Sequence, residues 1–363
     1  MRKRKERVAL GMSGGVDSSV AAILLKESGY EVIGVSMEIY DKNADINIPR
    51  GHACYGPEEE EDLNKAEQLC KRLDIPFFRI DLRKEFKEHV ITYFKHEYLS
   101  GRTPNPCIVC NSILKFDLLL RKTREKVVDF DLFATGHYAR IKNTDGEKFL
   151  LKRALDRSKD QSYFLYRLRK EQLSNMLFPI GEYKKREIIE IACEKGLNVD
   201  CMKESQDFIS GGDYSFLFEQ EEVNKGKIVD PHGNTIGEHK GIIFYTIGQR
   251  KGLGISSRWP LYVTRIDAST NTIIVGPKSS VYSYELIAGD INLLSVEGIH
   301  KPLRAEAKIR LNHKEASSTV YPVGRGKIRV VFDEPQPAVT PGQSVVLYDG
   351  DIVIGGGIIE SRQ

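Results

Sequence analysis

The sequence predicts an α/β chain in which a doubly wound parallel-sheet domain precedes a small, mostly β central domain and a C-terminal antiparallel β-barrel. Three observations carry that prediction. Short apolar runs alternate with helical-period segments up to about residue 200. A glycine–serine loop, Gly11-Met12-Ser13-Gly14-Gly15, joins the first such run to the first helix. Beyond about residue 215, short alternating runs bounded by turn residues replace the helical period.

In chain order, Val8-Ala9-Leu10 reads as a strand, and Ser18 to Ser28 as a helix stopped by Gly29. Val32 to Met37 is a second strand, Leu63 to Leu73 a helix, and Phe77 to Ile80 a third strand after Pro76. The acidic run Glu58 to Asp62 reads as the solvated first turn of its helix. Leu132 to His137 is a further buried strand ending in a glycine turn, so ligands are expected at the carboxyl ends of a parallel sheet. Asp230-Pro231-His232-Gly233-Asn234 and Asp267 to Asn271 mark turns in the central part. Ala305 to Leu311, Ile328 to Phe332 and Ser344 to Tyr348 alternate as barrel strands do. The domain ranges expected are 1–210, 211–282 and 283–363.

Composition limits the function classes. At 363 residues, 40% hydrophobic and 29% charged, the chain suits a folded multidomain protein. Fifty-four basic against 51 acidic residues give a net charge of +3, so an RNA partner must be held by local patches. No apolar run approaches the roughly 18–20 residues that cross a bilayer, and the basic start runs straight into a strand. No signal peptide or membrane anchor is read, and a cytoplasmic location is expected. The six cysteines, Cys54, Cys70, Cys107, Cys110, Cys193 and Cys201, read as thiols rather than a disulfide framework.

Gly11-Met12-Ser13-Gly14-Gly15-Val16-Asp17-Ser18-Ser19 lies where backbone N–H groups and a helix dipole favour an anion. Glycines let phosphates approach, serine hydroxyls add donors, and Asp17 can hold the magnesium that accompanies a nucleoside triphosphate. The Gly-Lys-Ser/Thr ending of a Walker loop is missing, which disfavours γ-phosphate transfer. The loop instead resembles that of the N-type ATP pyrophosphatases. That resemblance implies cleavage of ATP between its α and β phosphates, transfer of AMP to a substrate oxygen, and expulsion of AMP by a nucleophile.

Five further segments resemble one branch, the bacterial and mitochondrial tRNA-specific 2-thiouridylases. They are Gly101-Arg102-Thr103-Pro104-Asn105-Pro106, Ala134-Thr135-Gly136-His137-Tyr138, Lys159-Asp160-Gln161-Ser162-Tyr163-Phe164-Leu165, Tyr245 to Gly254, and Thr340-Pro341-Gly342-Gln343-Ser344. The resemblance implies 2-thiolation of the wobble uridine, position 34, in tRNAs for lysine, glutamate and glutamine. It implies an ATP site at Gly11, Met12, Ser13, Gly14, Gly15, Val16, Asp17, Ser18, Met37 and Gly136. It also implies tRNA contacts at Asn105, Pro106, Cys107, His137, Lys159, Asp160, Gln161, Arg310, Leu311 and Gln343. Leu311 stands where the family usually has tyrosine. On residue chemistry alone, Lys159-Asp160-Gln161 reads first as a polar loop and His137 as a satisfied core histidine; the place of Lys159-Asp160-Gln161 in the collinear series points instead to tRNA. Arg250 and Lys251, between glycines, are available to phosphates.

The sulfur segment departs from the family. The usual Asn-Pro-Asp-x-x-Cys-Asn reads Asn105-Pro106-Cys107-Ile108-Val109-Cys110-Asn111 here, so Cys107 replaces an aspartate while Cys110 keeps the nucleophile's place. The usual second cysteine is missing from Ser205-Gln206-Asp207-Phe208-Ile209, and Cys201 lies four residues before that run. Cys107, Cys110 and Cys201 resemble the ligand set of related tRNA thiolases whose iron–sulfur cluster leaves one iron open. The expectation is therefore a cluster on those three cysteines, with a Cys110–Cys201 persulfide relay as the alternative. Cys54 is a reserve third ligand, and Cys70 and Cys193 read as buried packing residues. A sulfur donor is needed, whether a cysteine desulfurase, a carrier protein or free sulfide. Two rival functions use the same loop: an amide- or amidine-forming ligase, and a tRNA-binding module with a relic loop.

Overall fold

A computed structural model describes residues 4–41, 53–146, 148–198, 207–209 and 213–362. The chain divides into two compact units, the first comprising Met1–Val90, Cys107–Asp213 and Asp351–Val353, the second Ile91–Pro106, Tyr214–Gly350 and Ile354–Gln363.

The first unit is built on a five-stranded sheet in which every pair is parallel. Its strands in this unit are β1 (Arg7–Gly11), β2 (Glu31–Glu38), β4 (Phe77–Asp81), β5 (Leu132–Thr135) and β8 (Met176–Leu177), in the spatial order β4-β2-β1-β5-β8. The unit also contains a separate parallel pair, β3 (Ala53–Tyr55) and β9 (Asp207–Ile209), and a hairpin, β6 (Ala139–Asn143) and β7 (Phe149–Arg153), in which Lys152 pairs with Ile352. Val8, Ala9 and Leu10 of the central strand are fully buried, as a strand covered on both faces must be. Helix α1 (Val16–Glu27) buries Val20, Ala21, Ala22, Ile23 and Leu25, and α2 (Glu59–Arg72) buries Leu63, Ala66, Leu69 and Cys70 along one face.

Strand order reverses between β1 and β5. Gly11 pairs with Thr135 at the carboxyl ends of these two strands, so the loops that follow them leave the sheet side by side. An open α/β sheet forms its ligand crevice at such a switch point.

The second unit carries a four-stranded sheet, β10 (Gly226–Val229), β11 (Thr235–His239), β12 (Tyr262–Asp267) and β13 (Thr272–Gly276), in the order β11-β10-β13-β12. It also carries a closed six-stranded barrel of β14 (Tyr282–Leu293), β15 (Leu303–Lys308), β16 (Ala316–Pro322), β17 (Ile328–Pro337), β18 (Ser344–Asp349) and β19 (Ile352–Arg362), which β14 and β19 close by pairing. Closure removes the exposed edges that an open antiparallel sheet would leave. The predicted parallel sheet, mostly β middle and antiparallel barrel are all present. Helix α3 (Thr92–Leu99) and the Gly101–Pro106 segment, from the first half of the chain, pack with this unit: the Thr103 amide donates to Pro341 O at 2.9 Å, and Gln343 Nε2 donates to Thr103 O and Pro104 O at 3.0 Å each. Among the described residues no helix is long and apolar enough to cross a membrane.

Candidate active site

The loop after β1 is fixed by its glycines and hydroxyls. Gly14 has φ +75°, and a side chain there would run into the Asp62 carbonyl. The Ser18 hydroxyl accepts from the Ser13 amide at 3.2 Å and donates to Gly15 O at 3.1 Å, while Ser19 donates to Gly15 O at 2.8 Å. Ser36 of β2 donates to Met12 O at 2.5 Å. Gly136, after β5, lies so close to the start of α1 that a Cβ would sit 2.7 Å from the Ser18 amide nitrogen. The two expected ATP segments therefore meet at the switch point. Met37, half-buried, ends the same sheet one strand away.

Asp17 stands in the first turn of α1, where a carboxylate is favoured. Its Oδ1 accepts 2.8 Å hydrogen bonds from the Tyr138 hydroxyl and from Lys185 Nζ. Among the described residues no hydrogen bond reaches Oδ2, which leaves that oxygen open to a cation. Lys185, the first residue of α5 (Lys185–Glu194), was not singled out from sequence, because nothing local marks a residue that must cross 168 positions to find its partner. Helix α4 (Leu119–Lys126) lies between these regions in sequence.

Glu59 corrects the solvated reading of the acidic run. Its carboxylate accepts the Ile39 amide at 2.8 Å and the Tyr40 amide at 3.1 Å, closing the end of β2, and burial pushes its pKa up to about 7.

Cys107 lies in the helical turn Pro106–Val109, and Cys110 opens a π-helical stretch, Cys110–Leu118. Spaced i and i+3, the two thiols share a helix face, and both are half-buried. Insertions of π geometry recur at functional sites in helices. Burial pushes the Cys110 thiol up to about 11, against the pull of Lys115 and with the nearby Cys54 adding to it. Asn111 donates to Phe164 O at 3.4 Å, which ties this helix to the Lys159–Leu165 segment. Among the described residues no three His, Cys, Asp or Glu side chains are gathered as metal ligands, so Cys54 does not complete a trio with Cys107 and Cys110. Cys201 lies outside the described residues, as does Ser205-Gln206. Cys70 is buried as expected, but Cys193 is exposed: the core face of α5 is Ile188 and Ala192, and Cys193 falls on the next position round the helix.

Comparison with known proteins decides the family. Residues 6–210 match the model of the tRNA methyl transferase HUP domain, 214–277 that of the tRNA methyl transferase PRC-barrel domain, and 283–359 that of the aminomethyltransferase beta-barrel domain. The chain is 47% identical to the tRNA-specific 2-thiouridylase MnmA of Acetivibrio thermocellus over 98% of this chain and 99% of that protein. It is 48% identical to the protein of that name from Clostridium botulinum, with 99% of each covered, and 46% identical to that of Clostridioides difficile, with 98% of each covered. The chain belongs to the tRNA-specific 2-thiouridylase family.

Several of the family's expected tRNA residues have internal work in this member. Asp160 is buried and its carboxylate accepts the Ala154 amide at 2.9 Å and the Ser162 hydroxyl at 2.8 Å. Gln161 and Tyr138 clasp each other, Tyr138 N donating to Gln161 Oε1 at 3.0 Å and Gln161 N to Tyr138 O at 2.9 Å. Lys159 is half-buried. The His137 ring packs against Phe116 and Phe178, with Nδ1 2.7 Å from the Thr135 hydroxyl, and desolvation holds its pKa well below the usual imidazole value. It is neutral at physiological pH and offers no positive charge to RNA.

In the second unit, Gln343 holds Thr103 and Pro104, and so fixes the chain leading into Asn105 and Pro106. Arg310 donates to Pro337 O at 3.3 Å, and both it and Leu311 are half-buried. Arg250 and Lys251 are exposed, and Arg250 lines a concavity of about 700 Å³ together with Leu253, Arg258 and Trp259. Trp259, the chain's one tryptophan, is 68% exposed with the Arg258 guanidinium 5.3 Å from its ring centroid, an arrangement that the sequence reading missed.

Proposed function

We propose that the chain is an ATP-dependent tRNA-uridine 2-sulfurtransferase acting on the wobble uridine. The observation that carries this reading is the phosphate loop at the β1–β5 switch point, with Asp17 at its helix terminus and Gly136 against it. The uridine O2 attacks the α-phosphorus of ATP, and pyrophosphate leaves with the electron pair of the broken bond. The N3 proton passes to water, hydrosulfide adds at C2, the C2–O bond breaks with its electron pair leaving on AMP, and the sulfur-borne proton returns to N3. Were the donor a persulfide on Cys110, the Cys201 thiolate would break the S–S bond and leave a Cys110–Cys201 disulfide. Adenylylation turns a poor leaving oxygen into a good one.

Asp17 fits a magnesium ion through Oδ2, where the ion would neutralise phosphate charge. Gly11 to Ser18, Met37 and Gly136 would hold the nucleotide. Arg250, Lys251, Lys159 and Arg310 would meet tRNA phosphates, while Asp160, Gln161 and Gln343 would act by holding the segments around them. Residues 1–210, 211–282 and 283–363 would divide catalysis, central tRNA binding and barrel. The tRNAs for lysine, glutamate and glutamine are the proposed substrates.

For sulfur, Cys107 and Cys110 would ligate an iron–sulfur cluster with Cys201 as third ligand. What supports this is the i, i+3 placement of Cys107 and Cys110 on one helix face; a bound metal would deprotonate Cys110, whose thiol burial otherwise keeps neutral. Two of these three proposed ligands, Cys107 and Cys110, lie among the described residues. The second reading is a Cys110–Cys201 persulfide relay, in which Cys110 keeps the place of the family's nucleophile.

Turnover of ATP with unmodified tRNA tests the function. AMP, pyrophosphate and 2-thiouridine are expected as products; ADP, or AMP formation that tRNA does not stimulate, would overturn it. Iron analysis of anaerobically purified protein separates the two sulfur readings.

A further inference from the structure

We propose that Lys185 is a catalytic cation of adenylyl transfer, carried to the triphosphate from an ion pair with Asp17. The proposal rests on the function given above and deepens it. Lys184, Lys185 and Arg186 crowd three positive charges at the N-terminal end of α5, the end where the helix dipole disfavours cations. Sequence-level rules are broken in this way chiefly at functional sites. Lys185 does not turn its charge to solvent. Its side chain is 16% exposed, lies over the Tyr138 ring at 5.7 Å, and ends 2.8 Å from Asp17 Oδ1.

The backbone that aims it is tightly held. The Lys185 amide donates to Asp156 Oδ2 at 3.0 Å, and Gly181 O accepts the Leu155 amide at 2.9 Å. Gly181 itself lies against Ala139 O, where any side chain would collide. Hairpin strand β6 and the start of α5 are therefore locked together beside Tyr138, the other donor to Asp17.

Asp17 stands in the first turn of α1, an end suited to anions, and the first residue of α5 reaches it through its side chain. ATP brings several negative charges to this loop, which lacks a Walker lysine. Lys185 is the largely buried ammonium held at the loop's own aspartate. As nucleotide loads, its Nζ exchanges Asp17 Oδ1 for phosphate oxygens at the scissile α–β linkage, and Asp17 is released toward its cation. During the reaction the uridine O2 to α-phosphorus bond forms and the α-phosphorus to bridging-oxygen bond breaks. Lys185 keeps its proton throughout, and its charge offsets the charge gathering on pyrophosphate.

Lys185→Met keeps the stem and removes the charge. It is expected to lower kcat for tRNA-dependent AMP formation by about 10²–10³-fold, with ATP binding weakened far less. Lys185→Arg is expected to recover at least tenfold over Lys185→Met. Melting temperatures and ATP dissociation constants are measured on both variants. A Lys185→Met enzyme with kcat within threefold of wild type, or with its loss confined to KM, overturns the proposal. Should Lys185→Met fail to fold, Lys185→Arg decides: native melting with kcat above about a tenth of wild type supports it, and native melting with any lower kcat overturns it. Wild-type protein that forms no AMP would instead overturn the underlying function.

Discussion

The phosphate loop and the cysteine helix belong to the same compact unit, yet the chain constrains them to very different degrees. Around the loop nearly every residue has a mechanical reason. Gly14 and Gly136 stand against backbone atoms, Ser18 and Ser19 tie the loop to Gly15, and Ser36 holds Met12. The helix that carries Cys107 and Cys110 has its inward anchors at Asn111, Leu114 and Phe116, while both thiols remain half-buried. Chemistry at the cysteines can therefore change without disturbing packing, and chemistry at the loop cannot. Cys107, which stands where the family usually has aspartate, lies on this less constrained helix.

The sharpest way to break this comparison is Gly136→Val. The Cβ would sit 2.7 Å from the Ser18 amide nitrogen and 2.9 Å from the Asp17 carbonyl carbon, both backbone atoms that cannot swing aside. Relief requires β5 and α1 to separate. ATP-dependent turnover is expected to fall by at least about 100-fold and stability by about 1–3 kcal/mol, the usual cost of overpacking. Normal turnover with an unshifted melting temperature would show that the close approach is not needed.

A second, smaller effect concerns Cys110 in metal-free protein. Its pKa of about 11 lies above the usual thiol value, so the neutral thiol persists through physiological pH. Alkylation by iodoacetamide is expected to be on the order of 100-fold slower at pH 7.5 than for an unperturbed thiol, and to keep rising until the pH passes about 11. Peptide mass mapping against pH measures this. A plateau near pH 8 would mean that Lys115 outweighs burial, and that Cys110 is a ready nucleophile with no metal.

Much of the first unit was legible because its signals are local. An apolar strand, a glycine loop and a helix can be read from adjacent residues, and β1, α1 and β2 lie within a residue or two of the predicted spans. The resemblance implied an ATP-site role for Gly136; its close approach to Asp17 and Ser18 emerged only from the structure. What escaped the sequence are relations between distant segments. Lys185 acquires meaning only because α1 and α5 pack together, and the packing of Ile91–Pro106 with the second unit depends on Pro341, Gly342 and Gln343. Glu59 was misread for the same reason, since its partners Ile39 and Tyr40 belong to a strand end. Cys193 failed differently: a helical period locates an apolar face only to within a position, and one step round α5 separates core from solvent.

The smallest expected effect is the most discriminating, and it comes from Cys107→Asp, which restores the usual family residue. Cys107 sits in the first turn of a helical run, where a carboxylate interacts favourably with the dipole, and its half-buried side chain has room for a residue of similar size. Stability is expected to change by less than about 1 kcal/mol, with ATP-to-AMP turnover unaffected by the folding of the loop. Sulfur handling is where the variant should differ. On the cluster reading, one thiolate ligand is lost, and iron content and sulfide-dependent thiolation fall together. On the persulfide reading Cys107 is a bystander, and thiolation supported by a cysteine desulfurase persists. A large loss of stability would mean that the cysteine helix is as tightly determined as the loop. The contrast between an adaptable sulfur segment and a fixed phosphate cradle would then be wrong.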